Sequence, residues 1–415
     1  MGNKETEVGP IPNDWEVHNI ASNSTMKARI GWQGLTTAEY LSMGDYFLVT
    51  GTDFFDGKIK WETCHHVTKD RFDQDKNIQL KQNDILITKD GTIGKVALID
   101  ELPLDATLNS GVFVIRPIDN AYDPKYCYYI FKSQYFDSFL RKLVAGSTIN
   151  HLYQKDFVSF QFPLPPKKAE QTAIATALSN IDNLIDGLKK LISKKKAIKQ
   201  GAMQKLLRPK EEWVLKRLGD VFTFFSTSNY SKAEMFTEGD VGCIHYGLIH
   251  AVVNSNYSLK NGVKYYITKE QAKYERIQNG DIIMVDASED LVGLNKSIEI
   301  ADIEDREYIA GLHTFHLRDK QSVYVKNFRG LILNSTYIKN QMLRLAVGMK
   351  VFGVSKPQLQ QILVPVPPIE LQTEIANILS DMDDEIMLLE ENLEKYRLLK
   401  QGMMQELLTG KTRLL

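Results

Sequence analysis

The chain has little cysteine and almost no net charge. Its three cysteines, Cys64, Cys127 and Cys243, stand far apart with no C-x-x-C spacing. A disulfide framework is therefore not expected, and a reducing cytoplasm is. No window approaches the roughly 18 consecutive apolar residues of a membrane span, and the opening MGNKETEVGPIPNDW lacks the apolar core of a secretory signal. The formal charge is −1, so bulk charge supplies no attraction for a polyanion, and such contact would need local basic patches or a partner. There is no G-x-x-x-x-G-K-[ST] loop, which excludes an ATP-driven motor of that type. There is also no glycine-rich S-adenosylmethionine loop with an N/D-P-P-aromatic motif. The only Pro-Pro pairs lie in PLPP (Pro163–Pro166) and PVPP (Pro365–Pro368), with no Asn or Asp before them.

What is present is an ordinary globular composition, 43% apolar and 25% charged over 415 residues, in a chain long enough for two or more domains. The chain is also written twice. FPLPPKKAEQTAIATALSNIDNLIDGLKKLISKKKAIKQGAMQKLL (Phe162–Leu207) aligns with VPVPPIELQTEIANILSDMDDEIMLLEENLEKYRLLKQGMMQELL (Val364–Leu408). A constant offset of 201 pairs Gln171 with Gln372, Thr172 with Thr373, Asp182 with Asp383 and Gly201 with Gly402. Ahead of these blocks the likeness is fainter. Trp15 answers Trp213, Asn83–Ile87 answers Asn279–Ile283 with one residue slipped, and Phe131–Ser147 parallels Leu333–Met349. The layout is variable half, shared segment, variable half, shared segment.

The shared segments read as helices of about 35–40 residues, roughly 55–60 Å long, entered through Pro-rich stops. Apolar residues fall at Ile174, Leu178, Ile181, Ile185, Leu188 and Ile192, and again at Ile375, Leu379, Met382, Ile386, Leu389 and Leu393. Alternating steps of four and three describe a coiled-coil seam, with two independent surface helices as the plainer alternative. Charge favours mutual pairing. The first helix carries Lys189, Lys190, Lys194, Lys195, Lys196 and Lys199, and the second Asp381, Asp383, Asp384, Glu385, Glu390, Glu391 and Glu394. The variable halves look α/β. Strands are expected over IKWETCHHV, DILIT, KVALID and GVFVIRP in the first and CIHYGLI, DIIMVD and LHTFHL in the second, with helices near Pro124–Val144 and Val325–Val347.

GTIGK (Gly91–Lys95), the stretch Ala145–Leu152, the PLPP and PVPP exits, the E-x-Q-T helix start and the closing KQGMMQELLTGKTR (Lys400–Arg413) together resemble the specificity subunits of Type I restriction–modification systems. The resemblance covers nearly the whole chain. It implies two similar α/β target-recognition domains, residues 1–162 and 211–364, each reading half of a split, asymmetric site on double-stranded DNA. It further implies that two long helices, 163–210 and 365–415, form an antiparallel coiled coil as a pseudo-twofold internal repeat. That frame would hold the domains apart and dock two methylase subunits, which restriction subunits then join. Catalytic residues, cofactors and metals are not expected. The second half departs from the pattern, having DASEDLVG (Asp286–Gly293) where the first has GTIGK.

Candidate DNA contacts are loop residues with basic, amide, hydroxyl or aromatic side chains. In the first half these are Lys58, Lys60, Trp61, Lys89, Thr92, Lys95, Ser147, Thr148, Asn150 and His151. In the second they are His245, Tyr246, His250, Lys264, Tyr265, Asn295, Lys296, Lys350 and Lys356. Each could equally be a solvated surface residue, Arg141 and Arg344 could cap or pack helix ends, and GTIGK could be a hairpin turn alone. Asp53, Asp56 and Lys58 have the composition of a metal-nuclease trio, but one FFDG turn explains them better. Cys243, His245, His250, His313 and His316 invite a zinc reading, yet residues three apart on a strand face opposite ways. Two other functions compete with DNA recognition by a non-catalytic subunit: a self-sufficient methylase or nuclease, and a coiled-coil adaptor that never touches DNA.

Overall fold

A computed structural model describes residues 2–144, 151–252, 254–289, 293–348 and 352–414. The chain divides into two compact units, one of residues 1–188 with 393–415 and the other of residues 189–392.

The first unit has a four-stranded sheet and a three-stranded sheet. The strands of these two sheets are β1 (Ser24–Lys27), β2 (Tyr46–Val49), β3 (His65–Val67), β4 (Ile85–Thr88), β5 (Val96–Leu98), β6 (Ala106–Leu108) and β7 (Val112–Pro117). The sheet orders are β5-β4-β7-β1 and β6-β2-β3, and β6 runs parallel to β2. Period-two alternation decides the layering. Ile85, Ile87, Phe113 and Ile115 enter an aromatic-rich core with the helices, whereas Leu86, Val112 and Val114 enter a second core with Phe47, Val49 and Leu108. Both faces of the larger sheet are therefore dry, which is why DILIT and GVFVIRP read as unbroken apolar runs.

The helical layer is α1 (Pro124–Phe131) and α2 (Gln134–Val144). The expected single helix is thus two, with Lys132 and Ser133 at the break. The side chain of Asp123 accepts from the N–H groups of Lys125 and Tyr126, and Pro124 fills the first helical turn. IKWETCHHV also differs from expectation. Lys58–Ile59 and His65–Val67 are strands, but a 3-10 turn over Trp61–Thr63 separates them. The long helix α3 (Lys168–Leu206) follows.

The second unit repeats this plan with β8 (Phe222–Phe225), β9 (Val241–Ile244), β10 (Asn256–Ser258), β11 (Tyr266–Ile267), β12 (Ile282–Val285), β13 (Ser297–Ala301), β14 (Glu307–Ala310) and β15 (Thr314–Asp319). The sheet orders are β8-β15-β12-β13-β10 and β11-β9-β14, with the parallel pair β9 and β14 matching that of the first unit and a further parallel pair, β10 and β13, at the edge of the larger sheet. Helices α4 (Arg329–Leu333), α5 (Thr336–Leu345) and the part of α6 (Ile369–Leu407) before residue 393 belong to it as well. CIHYGLI is a strand only to Ile244; His245 caps a short helix over Tyr246–Ala251.

The same bracing recurs in both units. A fork from Arg116 to Asp84 in the first, 2.6 Å on each oxygen, corresponds to Arg318 on Asp281 at 2.8 Å. Buried Gln171 accepts from the Asp123 N–H at 2.8 Å and donates to Pro165 O at 2.8 Å. Buried Gln372 does the same with Val325 and Pro367, both at 2.9 Å. The repeated Gln-Thr at the helix start is thus a splice between the Pro-bounded strand and the helical layer.

The end of each long helix packs with a core as well. Leu407 and Leu408 lie in the first unit's aromatic core, and Leu207 lies with Trp213 in the second unit's. Within the second unit Lys195 pairs with Glu385 and Lys196 with Glu390, both at 2.6 Å, and Lys199 pairs with Asp383. Of the twelve positions expected to form a seam, Leu188, Met382 and Leu389 are half-buried and the other nine are buried.

Candidate DNA interface

In the first domain the β4–β5 hairpin loop is built around Thr88. Its hydroxyl donates to Thr92 O at 2.6 Å and accepts from the Lys95 N–H at 2.9 Å, and its carbonyl accepts from Gly94 at 2.9 Å. Gly91 and Gly94 have φ of 66° and 82°. A Cβ on Gly94 would lie 2.4 Å from Leu140 Cδ1, the movable end of a side chain, so it is the left-handed φ that calls for glycine here. GTIGK is therefore a turn, and it leaves Thr92 and Lys95 exposed while Lys89 is half-buried with its ammonium 5.4 Å from the Phe113 ring centroid.

His151 joins this loop. Its ring pairs with Asp90, and the backbone bridges at the same two residues. Beside it stand Tyr153, its ring 4.4 Å from that of His151, and Lys155, 5.3 Å from the Tyr153 centroid. Ser147, Thr148, Asn150 and most of the Ala145–Leu152 motif lie outside the described residues.

The remaining first-half candidates are held elsewhere. Lys58 reaches Asp186 of α3 at 3.1 Å. Burial alone would lower its pKa, but the pairing with Asp186 prevails and raises it. Trp61 is half-buried, 5.2 Å from Phe47, and Lys60 is exposed. Asp53 is buried and accepts from the Thr50 N–H and hydroxyl and the Thr63 hydroxyl. Asp56 and Gly57, at φ 50° and 85°, form the two-residue turn of a hairpin. These are backbone roles.

In the second domain the β12–β13 loop, residues 286–296, occupies the corresponding place; residues 290–292 of DASEDLVG lie outside the described residues. Ala287 and Ser288 pair with Gly353 and Phe352, as Asp90 pairs with His151 in the first domain. The Tyr246 ring centre lies 5.6, 6.1 and 5.5 Å from those of His245, His250 and His313. Asp286 lies 3.5 Å from His313, and burial nonetheless pushes its carboxyl up. Lys296 donates to His250 O at 2.9 Å, and burial lowers its pKa.

Two candidates differ from the solvent-facing loop residues expected. His245 is only 2% exposed, accepts from the Gly247 N–H at 3.0 Å, and has its pKa lowered by burial and then by Lys232. Asn295 is buried at φ 63° and donates to Leu333 O, a turn residue. Lys264 and Lys356 are exposed, poised over the half-buried rings of Tyr265 and Phe224, and Lys350 lies outside the described residues. His313 and His316 part company, since His316 is fully buried 2.7 Å from Asp281. Among the described residues no group of three or more His, Cys, Asp or Glu side chains could hold a metal ion. Nor is any described helix long and apolar enough to cross a membrane. Sequence reasoning missed Tyr153 and Lys155, whose only signal was an aromatic–basic pair directly after the Ala145–Leu152 motif.

The profile of the Type I restriction modification DNA specificity domain matches twice, over residues 16–199 and 210–395, each match taking one globular half with its following helix. The Type I restriction enzyme MjaVIII specificity subunit of Methanocaldococcus jannaschii is 27% identical over 359 residues, 81% of each chain. The crystal structure of a Type-I restriction-modification system S subunit from M. genitalium covers 98% of this chain and 99% of its own, at TM-score 0.56 and 19% identity. A chain from work on complex assembly and conformational transition of the type I R-M system covers 97% and 99%, at TM-score 0.58 and 14% identity. At such identities the structural likeness speaks to the fold.

Proposed function

This chain belongs to the Type I restriction modification DNA specificity family, and from that premise we propose that its two domains, residues 1–162 and 211–364, each read one half of a split, asymmetric duplex site. Helices 163–210 and 365–415 form an antiparallel coiled coil with pseudo-twofold symmetry that spaces the domains and docks two methylase subunits. Restriction subunits join that core in the cytoplasm. The chain contributes recognition and scaffolding and leaves the chemistry to its partners. The observation that carries this reading is one hairpin-root frame occurring twice with different surface residues. Lys89, Thr92, Lys95 and His151 stand in the first, and Tyr246, His313 and Lys296 in the second. A common frame with divergent side chains suits two heads that read different sequences. A second support is the equivalence of Lys199–Asp383 and Lys400–Asp182, which the offset of 201 interchanges.

The test is genome-wide methylation sequencing of cells expressing the chain with its methylase subunits. Exchanging residues 14–162 for the corresponding domain of a relative should change one half of the methylated motif and leave the other. A change in both halves, or no site preference at all, would refute the reading. Isolated chain should not bind S-adenosylmethionine in a titration.

A further inference from the structure

The segment that follows the second helix of each domain carries one frame. In the first domain Leu152 is fully buried and donates its N–H to Lys89 O at 2.8 Å. The next residue, Tyr153, begins a 3-10 turn over Gln154–Ser159 and donates its N–H to Asp156 at 2.8 Å. In the second domain Val354 is 6% exposed and donates to Asp286 O at 3.2 Å. Ser355 then caps the helix Lys356–Gln361 through Gln358. Tyr153 and Ser355 therefore hold the same structural position.

That position presents different chemistry in the two domains. Ser355 turns its hydroxyl onto Gln358 at 2.8 Å. Tyr153 stands 52% exposed beside the hairpin loop, with Lys155 near its ring and the His151–Asp90 pair at its base. Its backbone is fixed on both sides, by the buried Leu152 and by the Asp156 cap, so placing the ring against a ligand costs little further ordering. A half-wet aromatic beside a lysine matches the surface of a duplex: an apolar sugar and base edge next to a phosphate.

We propose that Tyr153 is a DNA-contacting, specificity-determining residue of the first domain, its ring against the sugar–base edge of one nucleotide and Lys155 on the adjoining phosphate. The assignment rests on the DNA-reading function proposed above. It requires neither Lys58, which is committed to Asp186, nor the residues outside the described set.

The experiment uses the full chain with its methylase subunits and a duplex bearing the site that the wild-type complex methylates. Tyr153→Ser is the chosen variant, because the same frame already holds serine in the second domain. Its binding should weaken by about tenfold or more. The loss should vanish on a duplex whose first half-site is scrambled and persist when the second is scrambled. Lys155→Gln should reduce the slope of log affinity against log salt by about 0.9, the loss of one phosphate contact. If the wild type discriminates its site and Tyr153→Ser binds equally well, this assignment alone is overturned. The same holds if the loss is equal on both scrambled duplexes, or if it proves to be a loss of methylase subunits by native mass measurement. A wild-type complex with no site preference overturns the underlying reading, and this assignment with it.

Discussion

Lys199 pairs with Asp383 at the positions that the internal repeat maps onto Lys400 and Asp182, which pair at 2.5 Å in the other unit. Each pair stays within its own unit, and all four side chains are 14 to 25% exposed. Lys199→Glu should destabilise the second unit by about 1 kcal/mol, as expected for a partly buried pair. Lys199→Glu with Asp383→Lys should recover most of it. Chemical denaturation of the four members of the cycle measures this, and additive losses in the double variant would show the pair to be energetically idle.

Gln171 and Gln372 each satisfy a backbone N–H and a carbonyl that are otherwise left without these partners. Alanine at either position should cost about 1–3 kcal/mol for the buried groups left unpaired. Amide exchange should quicken at Asp123 in the first variant and at Val325 in the second. Each effect should stay in its own unit; equal protection loss in both would contradict the division.

Asp281 provides a test by pH. Burial pushes its carboxyl up, but hydrogen bonds from His316, Arg318 and the Gln278 N–H outweigh that and hold it below the ordinary aspartate value. The folded state therefore binds this proton less readily than the unfolded chain. The stability it lends is full above about pH 4 and is lost as pH falls through the lower folded value. Asp281→Asn should cost on the order of 3 kcal/mol at neutral pH, by leaving His316 and the Arg318 fork without their carboxylate. The gap between variant and wild type in thermal unfolding should narrow below about pH 4. A gap that stayed constant would exclude this carboxylate as the source.

The spacer role proposed for the helices predicts a ruler. Four residues inserted after Lys195, inside the unbroken Lys168–Leu206 helix, add about 6 Å and roughly 400° of rotation, little more than a whole turn. The unread gap between half-sites should lengthen by about one to two base pairs, since each rises about 3.4 Å, with one expected where duplex bending or the opposite helix absorbs part of the move, while the half-site bases stay the same. Two inserted residues rotate the helix by about 200° and should abolish recognition. Methylation sequencing reads both; an unchanged gap with the four-residue insert would refute the ruler.

The sequence by itself determined the repeat, the two long helices and part of the larger sheets, the strands within DILIT, KVALID, GVFVIRP, DIIMVD and LHTFHL, while Ser24–Lys27, Phe222–Phe225, Asn256–Ser258 and Ser297–Ala301 were not foreseen. The elements it determined follow from local periodicity, where the spacing of apolar side chains states which face must be dry. The apolar stripe from Ile174 to Ile192 and from Ile375 to Leu393 is read from that spacing, and each of its twelve residues is buried or half-buried. Tertiary structure decided which loop residues meet. Lys58 is taken up by Asp186, 128 residues away, and no spacing rule reaches that far. His245 and Asn295 have the side chains of surface loops, but a helix cap and a left-handed turn bury them. Tyr153 carries no periodic signal at all. Its position is set by Leu152 entering the core and by hydrogen bonds to Lys89 and Asp156, and those contacts exist only once the hairpin and the helical layer have closed on each other.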